Sequence, residues 1–203
     1  MTVDFQRFDC NTGKTENYIG YVGSLSCKKD GLDILIRAFH LIHNEFPEYG
    51  LRIVGTTENE KEKEFLCNLC SDLQITERVT FMGEKNRNEI PDFICRASLL
   101  ILARPESKQS EGGFPTKLGE YLASGNPVVV SDVGEISEYL CDGQDAYFVK
   151  PGNAEDLADK IRQALSNYSE AKRIGMEGKR TARHHFDYFS HVNRIKYFFN
   201  SFK

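Results

Sequence analysis

No apolar run in this chain of 203 residues is long enough to form a membrane span, and residues 1–16 lack the apolar stretch of a signal peptide. Both absences point to a cytoplasmic protein. Basic residues are not in excess: the formal net charge is -4, which argues against a general polyanion-binding surface and against a nucleic-acid partner. A local basic pocket for one diphosphate is still compatible with that balance. No D-x-D pair and no cluster of histidines occurs, so neither a metal nor a cofactor is expected. Cysteine is present but shows no framework. Cys10, Cys27, Cys67, Cys70, Cys95 and Cys141 are scattered through apparent core and helix segments, which reads as reduced thiols. Only Cys67 and Cys70 have C-x-x-C spacing, and without a second ligand pair they read as structural thiols. Gly13-Lys14-Thr15 resembles the tail of a P-loop, but Phe8 stands where that motif needs glycine, so a linker turn is expected. Asn167-Tyr168-Ser169 fits a glycosylation acceptor, which has no meaning in a protein that is not secreted.

With 40% hydrophobic and 28% charged residues, the chain can bury a full core as one large domain. Apolar runs at 18–22, 51–54, 79–82, 99–103, 128–131 and 147–149 predict six short strands. Between them, residues 31–46 place Leu32, Leu35, Ile36, Phe39 and Ile42 on one helical face, and 60–73 do the same with Phe65, Leu66 and Leu69. Further helices are predicted at 92–97, 117–124, 136–140 and 154–165. Strand and helix alternate throughout, so a Rossmann-like α/β fold is expected: a parallel sheet of about six strands with helices on both faces and a helical C-terminal extension. Ligands of such sheets sit beyond the carboxyl ends of the strands, where Gly23, Gly83, residues 104–115 and residues 132–135 would fall.

The most informative stretch is 112–130, G-G-F-P-T-K-L-G-E-Y-L-A-S-G-N-P-V-V-V, which joins a glycine loop, a helix start, a carboxylate and an apolar strand. Free N–H groups at the helix start favour an anion, and Glu120, about a helical turn further on, can accept from hydroxyls. Lys29, after the first strand, and Lys117, at the start of the glycine-loop helix, are the best-placed cations for a diphosphate. Arg104 ends the fourth strand at a ligand-facing position, where either a phosphate contact or a surface salt bridge would account for it.

The wording of this run resembles the donor-site signature of the family 4 (group 1) retaining glycosyltransferases of GT-B fold. Further landmarks follow in the family's order: V-D-F-Q-R-F at 3–8, Y-V-G-S-L at 21–25, K-K-D-G-L-D-I-L-I-R-A-F at 28–39, V-T-F-M-G at 79–83 and E-Y-L-C-D-G-Q-D-A-Y-F-V-K-P-G at 138–152. The resemblance implies the C-terminal, donor-binding half of a GT-B enzyme, with a nucleotide diphosphate sugar as donor substrate and a glycan or lipid-linked acceptor. It assigns the ribose hydroxyls to Glu120, the diphosphate to Ser24, Lys29, Thr116 and Lys117, and the base to the main chain of Gly83, Glu84 and Lys85. The donor sugar falls to Glu111, Gly113, Phe114 and Pro115. Two departures accompany these assignments. Ser24 replaces the family's usual arginine, and Glu111 stands nine residues before Glu120 where the family's first glutamate stands eight before. The sugar hydroxyls therefore fall either to Glu111 or to the backbone of Gly113, Phe114 and Pro115.

By the same resemblance, residues 1–16 correspond to an interdomain linker, 17–168 to the nucleotide-sugar-binding domain, and 169–203 to helices that pack on an N-terminal acceptor domain absent from this sequence. The aromatic cluster Phe186, Tyr188, Phe189, Tyr197, Phe198, Phe199 and Phe202 fits such packing; the alternative is burial in this domain's own core. As an isolated chain it is expected to bind donor nucleotide and transfer little or no sugar. A different class of function, a non-catalytic module that docks a separate partner through this aromatic end, is the second expectation.

Overall fold

The computed structural model describes residues 2–8, 15–111 and 114–202, with the backbone alone at 109, 193 and 194. Six parallel strands form one sheet: β1 (Glu16–Val22), β2 (Gly50–Val54), β3 (Val79–Phe81), β4 (Ala97–Leu102), β5 (Val128–Ser131) and β6 (Tyr147–Val149), in the order β3-β2-β1-β4-β5-β6. The helices among the described residues are α1 (Cys27–Asp30), α2 (Leu32–Ile42), α3 (Glu60–Asp72), α4 (Ile90–Arg96), α5 (Lys108–Glu111), α6 (Thr116–Ser124), α7 (Ile136–Tyr139), α8 (Ala154–Ser166), α9 (Tyr168–Phe186) and α10 (Tyr188–Asn200). The expected architecture is what forms.

Strands covered on both sides need side chains that tolerate burial at every position, not an alternating pattern. A-S-L-L-I-L in β4 and V-V-V-S in β5 meet that need, and every residue of both is buried. The five apolar residues expected on one face of α2 are all buried, packed toward α3 and α8. In α3 the expectation fails at one position: Leu66, Leu69 and Cys70 face inward, whereas Phe65 is 47% exposed. Phe65 is one residue, about 100°, away from Leu66, outside the narrow stripe that a mostly charged helix turns to the core.

The run after α6 links three layers. Asn126 is buried, and its Nδ2 donates to the carbonyls of Ile94 (2.8 Å) and Cys95 (3.0 Å) at the end of α4. Its Oδ1 accepts from Lys172 Nζ of α9 at 2.8 Å. At the other end of the chain, the Val3 N–H donates to the Phe186 carbonyl (2.7 Å) and the Val3 carbonyl accepts from Tyr188 N–H (2.8 Å). Phe5 and Phe8, in a single 3-10 turn, are buried beside α6 and α4, so segment 2–8 is packed onto the domain at the α9–α10 junction.

The C-terminal aromatics divide at Asp187. Phe186 is buried, while Tyr188, Phe189, Tyr197, Phe198, Phe199 and Phe202 on and after α10 are exposed, so burial in the domain's own core holds only for the first. Of the cysteines, Cys27, Cys67, Cys70 and Cys141 are free thiols, and burial pushes the Cys70 thiol up to about 11, which makes it a poor thiolate partner for Cys67. Cys95 is disulfide-bonded, a departure from the expectation of thiols throughout. Gly13 and Lys14 lie outside the described residues. Asn167 has a structural task, capping α9 by accepting from Glu170 N–H. No helix among the described residues is long and apolar enough to cross a membrane.

Candidate functional site

The strand order reverses direction between β1 and β4, and in open parallel sheets the crevice at that switch point, beyond the carboxyl ends, is where ligands bind. The loops there are stitched side by side. Gly23 N–H donates to Val54 O (2.9 Å), Leu25 N–H to Thr56 O (3.1 Å) and Gly55 N–H to Gly83 O (2.8 Å), tying the ends of β1, β2 and β3 together. This contact requires glycine: Gly55 has φ +137°, and a Cβ there would stand 1.6 Å from the Gly23 carbonyl oxygen.

Beneath the β1 loop lies a buried polar knot. Asp30, 2% exposed at the end of α1, accepts from the Ser24 hydroxyl and lies 3.7 Å from Arg104 Nε at the end of β4. Arg104 Nε is itself buried without a hydrogen-bond partner, so this cation is held by charge at a distance. Tyr21 OH donates to Ser24 O at 2.9 Å, and Tyr121 OH accepts from Val22 N–H at 2.7 Å. Tyr121 is fully buried, so Tyr121→Phe strands the Val22 donor; urea unfolding should record a loss of about 1–3 kcal/mol.

Lys117, near the start of α6, reaches across to this loop: its Nζ is 2.8 Å from where a Gly23 Cβ would sit. Burial lowers its pKa, opposed by Asp30 and reinforced by the positive fields of Lys29 and Arg104. Lys117 thus stands beside Gly23 within the fields of Lys29 and Arg104, and a cation whose charged form is disfavoured in this way gains by meeting an anion. Glu120, one turn along α6, opens onto a cavity of 470 Å³ lined also by Thr2, Val3, Asp4, Arg7, Arg87 and Tyr188. Burial raises its pKa, while Arg7, Lys117 and Arg87 pull it back down.

The structure therefore brings Ser24, Lys29, Arg104 and Lys117 to one place, with Glu120 beside them. The other expected residues are distributed differently. Thr116 is exposed at the first position of α6, after a buried Pro115. Phe114 packs into an aromatic cluster, edge-on to Tyr139 (5.5 Å between centroids) and against Phe186 (4.9 Å). Glu111 is exposed at the end of α5, and Gly113 lies outside the described residues. Gly83 and the exposed Glu84 follow β3 at the carboxyl edge, but Lys85 pairs with Glu89 (3.4 Å) and lines a separate groove with Tyr18, Arg52 and Phe93. Three site residues had no role in the sequence reading: Arg7, Arg87 and Asp30. Asp30 sits between lysines and a glycine, a context that suggests a solvated turn, and only the tertiary fold buries it. Among the described residues no group of three or more His, Cys, Asp or Glu side chains could hold a metal ion.

An open six-stranded parallel sheet with helices, its order turning between β1 and β4, defines the class: a Rossmann-like half of a GT-B fold. The chain belongs to the glycosyl transferases group 1 family, whose model matches residues 2–181. It is 30% identical over 165 residues to a D-inositol 3-phosphate glycosyltransferase of Nocardia farcinica, covering 79% of this chain and 35% of that protein. It is 28% identical over 167 residues to a mannosylfructose-phosphate synthase of Agrobacterium fabrum, covering 80% and 36%. The chain spans well under half the length of such relatives. The C-terminal domain of a group 1 family protein from Francisella tularensis has a similar fold (TM-score 0.80, 20% identity, 92% of this chain and 99% of that one). So does Anabaena HepE, solved in complex with UDP and glucose (TM-score 0.83, 20% identity, 98% and 55%).

Proposed function

We propose that this chain is the donor-binding domain of a retaining glycosyltransferase, holding a nucleoside diphosphate sugar while an acceptor domain presents a hydroxyl across the cleft. The observation that carries this reading is Lys117 beside Gly23 within the positive fields of Lys29 and Arg104, one helical turn from the half-buried carboxylate of Glu120. A diphosphate supplies the negative charge that these cations lack, and neutralising it stabilises the leaving group as the glycosidic bond breaks. A ribose diol supplies two donors for Glu120. The fold likeness to HepE, which binds UDP and UDP-glucose, supports the donor class. In this reading residues 1–16 serve as an interdomain linker, 17–168 bind the donor, and 169–203 carry the contact to the acceptor side. In the same reading the isolated chain binds donor nucleotide and transfers little sugar.

Calorimetric titration with UDP, GDP, ADP and CDP tests the assignment. One nucleotide should bind saturably, and Glu120→Ala should weaken it by about 10- to 100-fold, the worth of hydrogen bonds to a charged acceptor. If a folded chain binds none of the four, the donor reading fails. The exposed aromatics of α10 favour a second reading, a docking module without catalysis; Glu120→Ala would then leave all measured binding unchanged.

A further inference from the structure

Arg7 lies outside the loops at the carboxyl ends of the strands, yet with Thr2, Val3 and Asp4 of its own segment it lines the cavity onto which Glu120 opens. One arm, Nη2, donates to the main-chain carbonyl of Arg87 in the loop after β3 at 2.7 Å. The other, Nη1, faces Glu120 Oε1 at 3.7 Å. Both partners are partly sheltered, with side chains 22% and 31% exposed. The backbone that carries Arg7 is fixed independently on either side: Phe5 and Phe8 are buried, and Val3 is bonded through both its N–H and its carbonyl to the α9–α10 junction. The loop it grips is also held, because Glu89 accepts from Asn86 through both backbone N–H (3.0 Å) and Nδ2 (2.9 Å).

We infer that Arg7 is a positioning residue for donor binding, which holds the Glu120 carboxylate in its ionised, hydroxyl-accepting form and fixes its separation from the loop after β3. The inference rests on the donor reading above and adds to it a residue from segment 2–8 that acts through Glu120. Its logic is electrostatic. A carboxyl withdrawn from water tends to keep its proton, and a protonated Glu120 can no longer accept from both hydroxyls of a ribose. The charged groups facing it are Arg7 from segment 2–8, Arg87 from the loop after β3 and Lys117 from its own helix, with Asp4 and Tyr188 lining the same cavity. Arg7 exerts the largest downward pull on Glu120, so its removal shifts the carboxyl further up. The second consequence is mechanical. Because segment 2–8 is bonded to the start of α10, a displacement of that junction is passed to Glu120 in part through the Arg7 guanidinium.

The test follows the affinity of the chain for UDP, or for whichever nucleotide it binds, as a function of pH in Arg7→Gln, Arg7→Lys and Glu120→Ala. Carbon NMR of the glutamate carboxyls follows Glu120 in the first two and in the parent. The expected result has three parts. In Arg7→Gln the affinity falls about 5- to 20-fold at neutral pH, and the acid limb of the profile moves to higher pH. Arg7→Lys recovers most of the loss. The Glu120 titration moves upward in Arg7→Gln but little in Arg7→Lys. A parent that binds, a Glu120→Ala that does not, and an Arg7→Gln indistinguishable from the parent across the pH range would overturn this inference and leave the donor reading standing. A folded parent that binds no nucleotide overturns both.

Discussion

Gly55→Ala is expected to destabilise the chain by about 3 kcal/mol or more in urea unfolding and to abolish binding of a nucleoside diphosphate. The added methyl carbon would stand 1.6 Å from the Gly23 carbonyl oxygen, which is backbone and cannot rotate away, and φ +137° excludes ordinary side chains besides. Relief requires the β1 loop to lift from the end of β2, breaking the Gly23 N–H bond to Val54 and moving the backbone that Lys117 reaches. The control is Gly83→Ala. That glycine also has positive φ, +67°, but its Cβ would meet nothing within 4 Å, so only the conformational cost of about 1–2 kcal/mol applies. Equal losses in the two variants would show that the contact between Gly55 and Gly23 is not what holds the loop.

Asp30→Ala should cost about 3–5 kcal/mol, the usual consequence of removing one member of a buried charge pair. Asp30 is 2% exposed and is shared by the Ser24 hydroxyl and Arg104, so its loss leaves a hydroxyl unpaired and a guanidinium with no counter-charge. The uncompensated cation should make the empty site more anion-seeking, so inorganic diphosphate is expected to restore part of the lost stability, measured as a rise in Tm with ligand concentration. The double variant Asp30→Ala, Arg104→Met should be less destabilised than the sum of the single variants, because the second change removes the charge that the first exposes. Strict additivity would mean that the 3.7 Å pair contributes no coupling.

The elements of this fold were legible because apolar periodicity is a local property. The β5 and β6 runs match their strands residue for residue, and the apolar stripe of α2 is the stripe that is buried. The short helix α1 was missed, since Cys-Lys-Lys-Asp has no apolar periodicity and is held by the Ser26 cap and by Gly31 at φ +66°. The cations and Glu120 were legible as candidates because they stand beside glycine turns. Which of them meet was not, because that depends on how segments 80 or more residues from Ser24, those of Arg104 and Lys117, stack against its loop at one end of the sheet. Arg7 shows the same limit. Its place beside Glu120 follows from the burial of Phe5 and Phe8 and from the backbone clamp at Val3, neither of which its neighbours in sequence disclose.

The central position of β1 also governs how the chain reaches its native state during synthesis. One edge of β1 pairs with β2 soon after it emerges, but its other edge waits for β4, with Ile19 opposite Leu99. Until then a nascent βαβαβ piece displays an unpaired inner strand of tyrosine, isoleucine and valine, the kind of edge that recruits neighbouring chains. Closing that gap sets a slow, late step, because long-range parallel pairing must bear its loop entropy before any contact repays it. Refolding from denaturant should accordingly be sensitive to protein concentration and improved by a holdase, while the assembled domain, once β4 is seated, keeps no such edge at its centre.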